Sequence, residues 1–389
     1  MIQRRQFLAT LLGGAAIARA QRQAPALESI EVFHVRVNHR GDWILVRMKA
    51  AGGLTGIGDA SHGTDAQTLP LLAKYFAALK GQTPFSVEPF RHAMFKQAES
   101  DGRSGTVAFS VLEQCLHDLQ GKLLGVPCWA LFGGKLHPRL RHYANINRAT
   151  VDRSPEGFAK LAEPAVAAGF DAIKMASFDG LPKQDPGKRT AATQAGIDCA
   201  AAVRKTIGPQ RALLVDGHSN FTLDEALDVT RRLEPLDLFW WEEATPGIAN
   251  LAAVNKAAKM PTAGGESIFG VHNYYPYIAG GAVDIVMPDV KYCGGMLELK
   301  KISAMAEGAG LPSSPHGPAS PVGNMAAAQV CSTLANFLIL ELGFGEVPWR
   351  GDLIHPPEVF APGGLLTVPD QPGLGITIHE KVAAEHRRI

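Results

Sequence analysis

At 389 residues, with 46% hydrophobic and 19% charged side chains, the chain is long enough for one large barrel plus a smaller domain. Its 38 Lys and Arg balance 37 Asp and Glu without any dense basic run, which excludes nucleic-acid binding on electrostatic grounds. No stretch reaches the ~20 apolar residues needed to span a bilayer, and Cys115, Cys128, Cys199, Cys293 and Cys331 lack the spacing of a zinc knuckle or a disulfide framework.

The first residues differ from the rest. Arg4-Arg5-Gln6-Phe7-Leu8 precedes an apolar, Gly/Ala-rich run closed by Ala18-Arg19-Ala20. Residues 1–20 thus have the basic region, short apolar region and small-x-small site of an export signal. Paired arginines followed by Phe-Leu resemble a twin-arginine signal, which sends folded proteins to the periplasm. That route suits a protein that must load a metal before export.

Ile30–Val37 and Trp43–Lys49 alternate as two strands around a turn at Asn38–Asp42, and Gly53–Asp59 continues the meander. Helical spacing follows from Thr68 through Leu79 and again from Val107 to Leu124. Three strands followed by helices predict an α+β domain over residues 27–140. Beyond it, apolar runs predict strands at Tyr143–Ile146, Ala172–Met175, Leu213–Asp216, Leu238–Glu242, Thr262–Glu266, Asp284–Pro288, Leu311–Pro315 and Phe337–Glu341. Helical patterns over Pro155–Ala168, Asp224–Leu233 and Leu297–Gly308 fall between them, the signature of a parallel α/β barrel over residues 141–360 with a tail at 361–389.

Three of these strands end in acids. Asp216, Glu242 and Glu266 are spaced by 26 and 24 residues, about one strand-helix unit each, so a closed barrel would gather them at one mouth. Like charges converge there only around a cation. Carboxylate oxygens without a nearby cysteine favour Mg²⁺. Glu243 competes with Glu242 as the ligand.

Asp118-Leu119-Gln120-Gly121-Lys122, Gly125-Val126-Pro127, Gly133-Gly134 and the closing Val368-Pro369-Asp370-Gln371-Pro372-Gly373-Leu374-Gly375 make the chain resemble the mandelate racemase/muconate lactonizing enzyme branch of the enolase superfamily. The resemblance runs from about residue 28 to 380. It implies an N-terminal α+β capping domain on a modified (β/α)7β TIM-type barrel, the tail returning to the cap, and an even-numbered homo-oligomer. It places the metal ligand at Glu242, although Ala244-Thr245 delay the proline that follows the Glu-Glu pair in relatives.

The resemblance also implies roles. Pro288-Asp289, with Gly294-Gly295 beyond, looks like the family's sixth-strand motif, with Asp289 orienting His316 as the base that removes an α-proton. Glu341 resembles the eighth-strand acid that, when protonated, hydrogen-bonds the substrate carboxylate. Glu346 is its rival. Lys174 can add positive charge there. Racemases of the family carry a second lysine two residues on, where this chain has Ala176. Asp216-Gly217-His218 instead resembles the acid-sugar dehydratases, in which that histidine protonates the departing 3-hydroxyl. Lys291 has no assigned role. The expected activity is a Mg²⁺-dependent dehydratase acting on a small-molecule sugar-acid carboxylate. Racemisation or epimerisation of a 2-hydroxy carboxylate is the rival reading, and a sugar-acid binding protein without turnover is a third.

Overall fold

A computed structural model describes residues 24–61, 65–183 and 185–388. The leader at residues 1–20 lies outside the described residues, as do residues 62–64.

The capping domain is an antiparallel sheet of β1 (Leu27–Asn38), β2 (Gly41–Ala50) and β3 (Thr55–Asp59), covered by helices α1 (Asp65–Phe76), α2 (Val87–Ser100) and α3 (Gly102–Leu124). The β1–β2 hairpin turns at His39-Arg40. Helix α3 is buried along most of its length because β3 packs on one side and the barrel on another. Gly56 and Gly58 permit that approach. A Cβ on Gly56 would lie 2.3 Å from the Cys115 carbonyl, and one on Gly58 2.7 Å from that of Val111.

The barrel strands are β4 (Arg139–Asn145), β5 (Ala172–Met175), β6 (Ala212–Asp216), β7 (Trp240–Glu242), β8 (Thr262–Gly264), β9 (Ile285–Val286) and β10 (Leu340–Gly343). They pair in parallel order, and β10 returns to β4. Between them run α4 (Pro155–Ala167), α5 (Pro186–Ile207), α6 (Leu223–Leu233), α7 (Ile248–Ala257), α8 (Val271–Ala279), α9 (Met296–Gly308) and α10 (Pro321–Cys331). A hairpin of β11 (Phe360–Ala361) and β12 (Leu365–Thr367) then adds antiparallel to the start of β4. The fold is the expected one: an α+β cap on a TIM-type α/β barrel.

The predicted strand Leu311–Pro315 is a correction. Ser313 alone bridges Val286 and Phe337. Pro312 and Pro315 flank it and have no N–H to donate, so the ladder cannot lengthen. The last strand also begins later than expected, at Leu340.

Strand parity decides what faces where. Tyr143, Ala172, Leu214, Trp240, Ala263, Ile285, Met287 and Ile339 pack together inside the barrel. Their neighbours Ile173, Leu213, Val215 and Trp241 pack outward against the helices. Two residues after an inward apolar side chain comes another inward position, at the C-terminal mouth.

Cap and barrel are joined by buried carboxylates. Glu113 of α3 accepts from the backbone N–H groups of Met296 (2.7 Å) and Leu297 (2.9 Å), capping α9. Asp59 accepts from the N–H and hydroxyl of Ser320, the N-cap of α10. Asp118 holds the N–H groups of Ile57 and Leu374 at 2.8 Å each and the Lys122 ammonium at 2.7 Å. This explains the Asp-x-x-Gly-Lys run: Asp118 ties the sheet to the tail. Gly121 has no Cβ because one would sit 2.7 Å from Gly373.

Asp118→Ala would leave two buried N–H groups and a lysine without their acceptor. It is expected to cost roughly 3–5 kcal/mol, read as a lowered urea midpoint. A midpoint unchanged from the parent would show that Asp118 does not hold the tail.

Candidate active site

The inward positions at the barrel mouth are Asn145, Lys174, Asp216, Glu242 and Glu341. Each follows an inward apolar residue by two: Tyr143, Ala172, Leu214, Trp240 and Ile339. Register aligns them, with Asn145 opposite Lys174 and Asp216 opposite Glu242. Glu266 breaks the parity. It lies two residues beyond β8 and is reached through Gly265 (φ +102°), where a Cβ would come within 3.0 Å of the Tyr274 hydroxyl.

Ligand atoms of Asp216, Glu242 and Glu266 all lie within 4.8 Å of one another. Lys174 is buried among the acids. Its ammonium hydrogen-bonds Glu242 and lies 3.1 Å from Asp216 Oδ2 and 3.4 Å from Glu341 Oε1. Burial works against its charge, but Glu242 and Glu341 outweigh that and raise its pKa well above normal. Burial and the nearby Asp216 carboxylate push Glu242 well up, with Lys174 opposing them, so the cluster is short of positive charge. Asp216 Oδ2 and Glu266 Oε2 are buried and accept no aligned hydrogen bond, although His218, Lys174 and His316 nitrogens stand within 3.2 Å. Three convergent carboxylates with such oxygens to spare fit a hard divalent cation.

Glu242 and Glu243 have separate tasks. Glu242 faces inward, where the Trp240 indole donates to it at 2.8 Å. Glu243, with φ +43°, turns aside to accept from the Ser219 hydroxyl and the Gly265 N–H, both at 2.7 Å. It fastens the ends of β6, β7 and β8 together.

His316 Nδ1 lies 2.6 Å from Asp289 Oδ2, and Nε2 lies 3.0 Å from Glu266. Lys291 pairs with the same Asp289 oxygen at 2.8 Å, which gives that lysine a place. Burial would raise Asp289, but Lys291 and His316 hold it down to about 2. Burial disfavours the imidazolium, yet Glu266, Glu341 and Asp289 raise the His316 pKa well above its usual value. Glu341 accepts from Asn145 Nδ2 (2.6 Å) and Gly317 N–H (2.9 Å). Burial alone would favour its acid form, but Lys174 and His316 lower its pKa. Both Glu341 carboxyl oxygens thus accept a hydrogen bond from the barrel itself. Glu346 instead pairs with Arg148 at 2.7 Å.

His218 has its own carboxylate. Its Nδ1 meets Asp179 Oδ1 at 2.5 Å, and Nε2 lies 3.2 Å from Asp216. Burial is outweighed by Asp216 and Asp179, so its pKa is raised well above normal. His218 lines a cleft of about 220 Å³ together with Lys174, Glu266 and His316. The cap contributes Arg40 and Arg103 to the wall, and the barrel contributes Asn145, Arg148 and Tyr292. None of these last five was singled out in the sequence. Asn145 is the one that strand parity would have found.

Residues 157–382 match the family described as "Enolase C-terminal domain-like", and residues 20–133 match "Mandelate racemase / muconate lactonizing enzyme, N-terminal domain". The chain belongs to the mandelate racemase/muconate lactonizing enzyme branch of the enolase superfamily. It is 29% identical to a D-xylonate dehydratase of Haloferax volcanii, over 92% of this chain and 89% of that one. It is equally 29% identical to a D-galactarolactone cycloisomerase of Agrobacterium fabrum, over 88% and 91%. The crystal structure of a mandelate racemase/muconate lactonizing enzyme-like protein from Rubrobacter xylanophilus superposes with a TM-score of 0.85 at 31% identity, covering 94% of this chain and 98% of that one. The protein is an enzyme of this superfamily. At the second-lysine position of the superfamily's racemases, Ala176 is buried and its carbonyl accepts from Arg153.

Asp216→Asn is expected to weaken Mn²⁺ binding in an electron paramagnetic resonance titration by more than 100-fold, and Glu243→Gln by about 10-fold. Equal losses from the two variants would mean that Glu243 is itself a ligand.

Proposed function

We propose that the protein is a Mg²⁺-dependent acid-sugar dehydratase that converts a 2,3-dihydroxy carboxylate into a 2-keto-3-deoxy acid. The observation that carries this reading is the pair of histidines, each backed by a separate carboxylate: His316 on Asp289, His218 on Asp179. They stand at different points of the acid cluster around Lys174. His218 Nε2 is 3.2 Å from Asp216, and His316 Nε2 is 3.7 Å from Glu341. Relatives named as D-xylonate and D-gluconate dehydratases support the same chemistry.

A Mg²⁺ held by Asp216, Glu242 and Glu266 would supply positive charge against the charge that develops on the substrate carboxylate. Lys174 adds a fixed ammonium at that carboxylate. A cation held by Glu266 would oppose the charge that raises the His316 pKa, and in its neutral form His316 donates Nδ1–H to Asp289 and accepts the C2 proton at Nε2. His218 delivers a proton from Nε2 to the C3 hydroxyl, which leaves as water. The C2–C3 double bond forms as the C3–O bond breaks, and the enol tautomerises to the keto acid. Glu341 holds Lys174 and the Gly317 backbone in place for these steps. The paired arginines of the leader support export of the folded enzyme.

The two dyads would also serve an epimerase that moves a proton from one face of C2 to the other, and Ala176 does not exclude a His316–His218 pair. Keto-acid formation from a panel of acid sugars separates the two readings. His316→Asn is expected to abolish exchange of the C2 proton with solvent deuterium. His218→Asn should keep that exchange and lose elimination by at least about 100-fold. Unchanged turnover in His218→Asn would remove it as the acid. EDTA should abolish turnover, and added Mg²⁺ should restore it.

A further inference from the structure

Asp179 lies in the turn after β5, five residues beyond Lys174, where no sequence pattern marks it. Its two oxygens face different parts of the molecule. Oδ1 takes the Nδ1 side of the His218 ring at 2.5 Å. Oδ2 faces the Arg40 guanidinium at 2.8 Å, with Asn147 and Arg153 nitrogens at 3.3 Å each. Arg40 belongs to the turn of the cap hairpin, 139 residues earlier in the chain.

That turn is itself pinned. The Arg40 N–H donates to Asn38 Oδ1 at 2.8 Å, and its carbonyl accepts from Arg148 at 2.9 Å. Asn38 in turn donates to the Arg148 carbonyl at 3.3 Å. His218 is held from its own backbone as well. Its N–H donates to Asp216 Oδ1 at 2.8 Å, and its φ of +47° is a left-handed conformation. Such backbone persists where surrounding contacts impose it. With Nδ1 held by Asp179, the other ring nitrogen, Nε2, lies 3.2 Å from Asp216 Oδ2 in a side chain that lines the cleft.

We infer that Asp179 is the positioning residue of His218 and that Arg40, by gripping Asp179 from the cap, makes a competent acid depend on the cap turn being seated. The inference rests on the dehydratase reading above. A carboxylate accepting from Nδ1 fixes the orientation of the ring and leaves Nε2 as the nitrogen through which a proton is delivered. An amide in its place can keep the geometry while removing the charge. When the hydroxyl leaves, His218 gives up its Nε2 proton and becomes neutral, still bonded to Asp179. His316 meanwhile holds the proton taken from C2.

Two measurements on the full-length enzyme test this. In the first, no substrate is needed. The proton spectrum of ¹⁵N-histidine-labelled protein should contain a downfield Nδ1–H resonance that disappears in His218→Asn and shifts upfield in Asp179→Asn. A resonance indifferent to Asp179→Asn overturns the inference. The second uses the acid sugar that the parent enzyme dehydrates. Asp179→Asn should lose at least about 100-fold in elimination while its C2 exchange and KM stay within about threefold of the parent. Arg40→Ala should lose about 10-fold with exchange retained. Mn²⁺ affinity equal to the parent's confirms that each variant is folded. Full elimination by Asp179→Asn beside a dead His218→Asn sinks the role of Asp179 and leaves the dehydratase reading standing. Full elimination by His218→Asn sinks that reading first. Loss of exchange and elimination together in Asp179→Asn marks a structural residue and also overturns the inference.

Discussion

Around one buried lysine the enzyme has collected more negative charge than a single ammonium can balance. Lys174 stands against Asp216, Glu242 and Glu341, and Glu266 closes the ring of acids from the next wall. Burying charge costs free energy unless it is paired. The barrel meets this requirement by geometry, since parallel strands of matched register deliver the acids to one level. Everything that surrounds them serves to keep them there. Trp240 orients Glu242, Gly317 and Asn145 hold Glu341, and Glu243 binds three strand ends together. The two histidine dyads flank the cluster and inherit their elevated basicity from it.

Most of this centre could be read from the chain because strand parity is a strong signal. An apolar run that ends in an acid announces both the strand and the direction of its last side chain, and Leu214–Asp216 and Trp240–Glu242 show it in two places. Legibility failed where local physics interrupts that rule. Glu266 reaches the mouth through a glycine in a positive-φ conformation rather than by parity. The wall before His316 is one bridging serine because prolines on both sides remove the donors a longer ladder needs. Glu243 looked equivalent to Glu242 until its backbone turned it aside.

Contacts across long stretches of sequence left no trace at all. Asp179 has no spacing that points to His218, and Arg40 none that points to Asp179. Asn38–Asp42 was readable as a turn between two strands, but the side chain that reaches down from it to the barrel was not. The family motif at Asp118–Lys122 was recognisable as a pattern, and its cause became visible only with the tail in place. Asp118 needs both Ile57 and Leu374 as donors, and Gly121 must let Gly373 approach.

The carboxylates that join the two domains also restrict how the enzyme can open. Glu113 and Asp59 reach out of the cap to the first turns of consecutive barrel helices, where the helix dipoles favour negative charge. Swinging the cap away as a rigid body would strip both helix ends of their partners at once. The hairpin tip at residues 38–42 is tied to the barrel differently, through the polar contacts that Arg40 makes with Asp179 and Arg148.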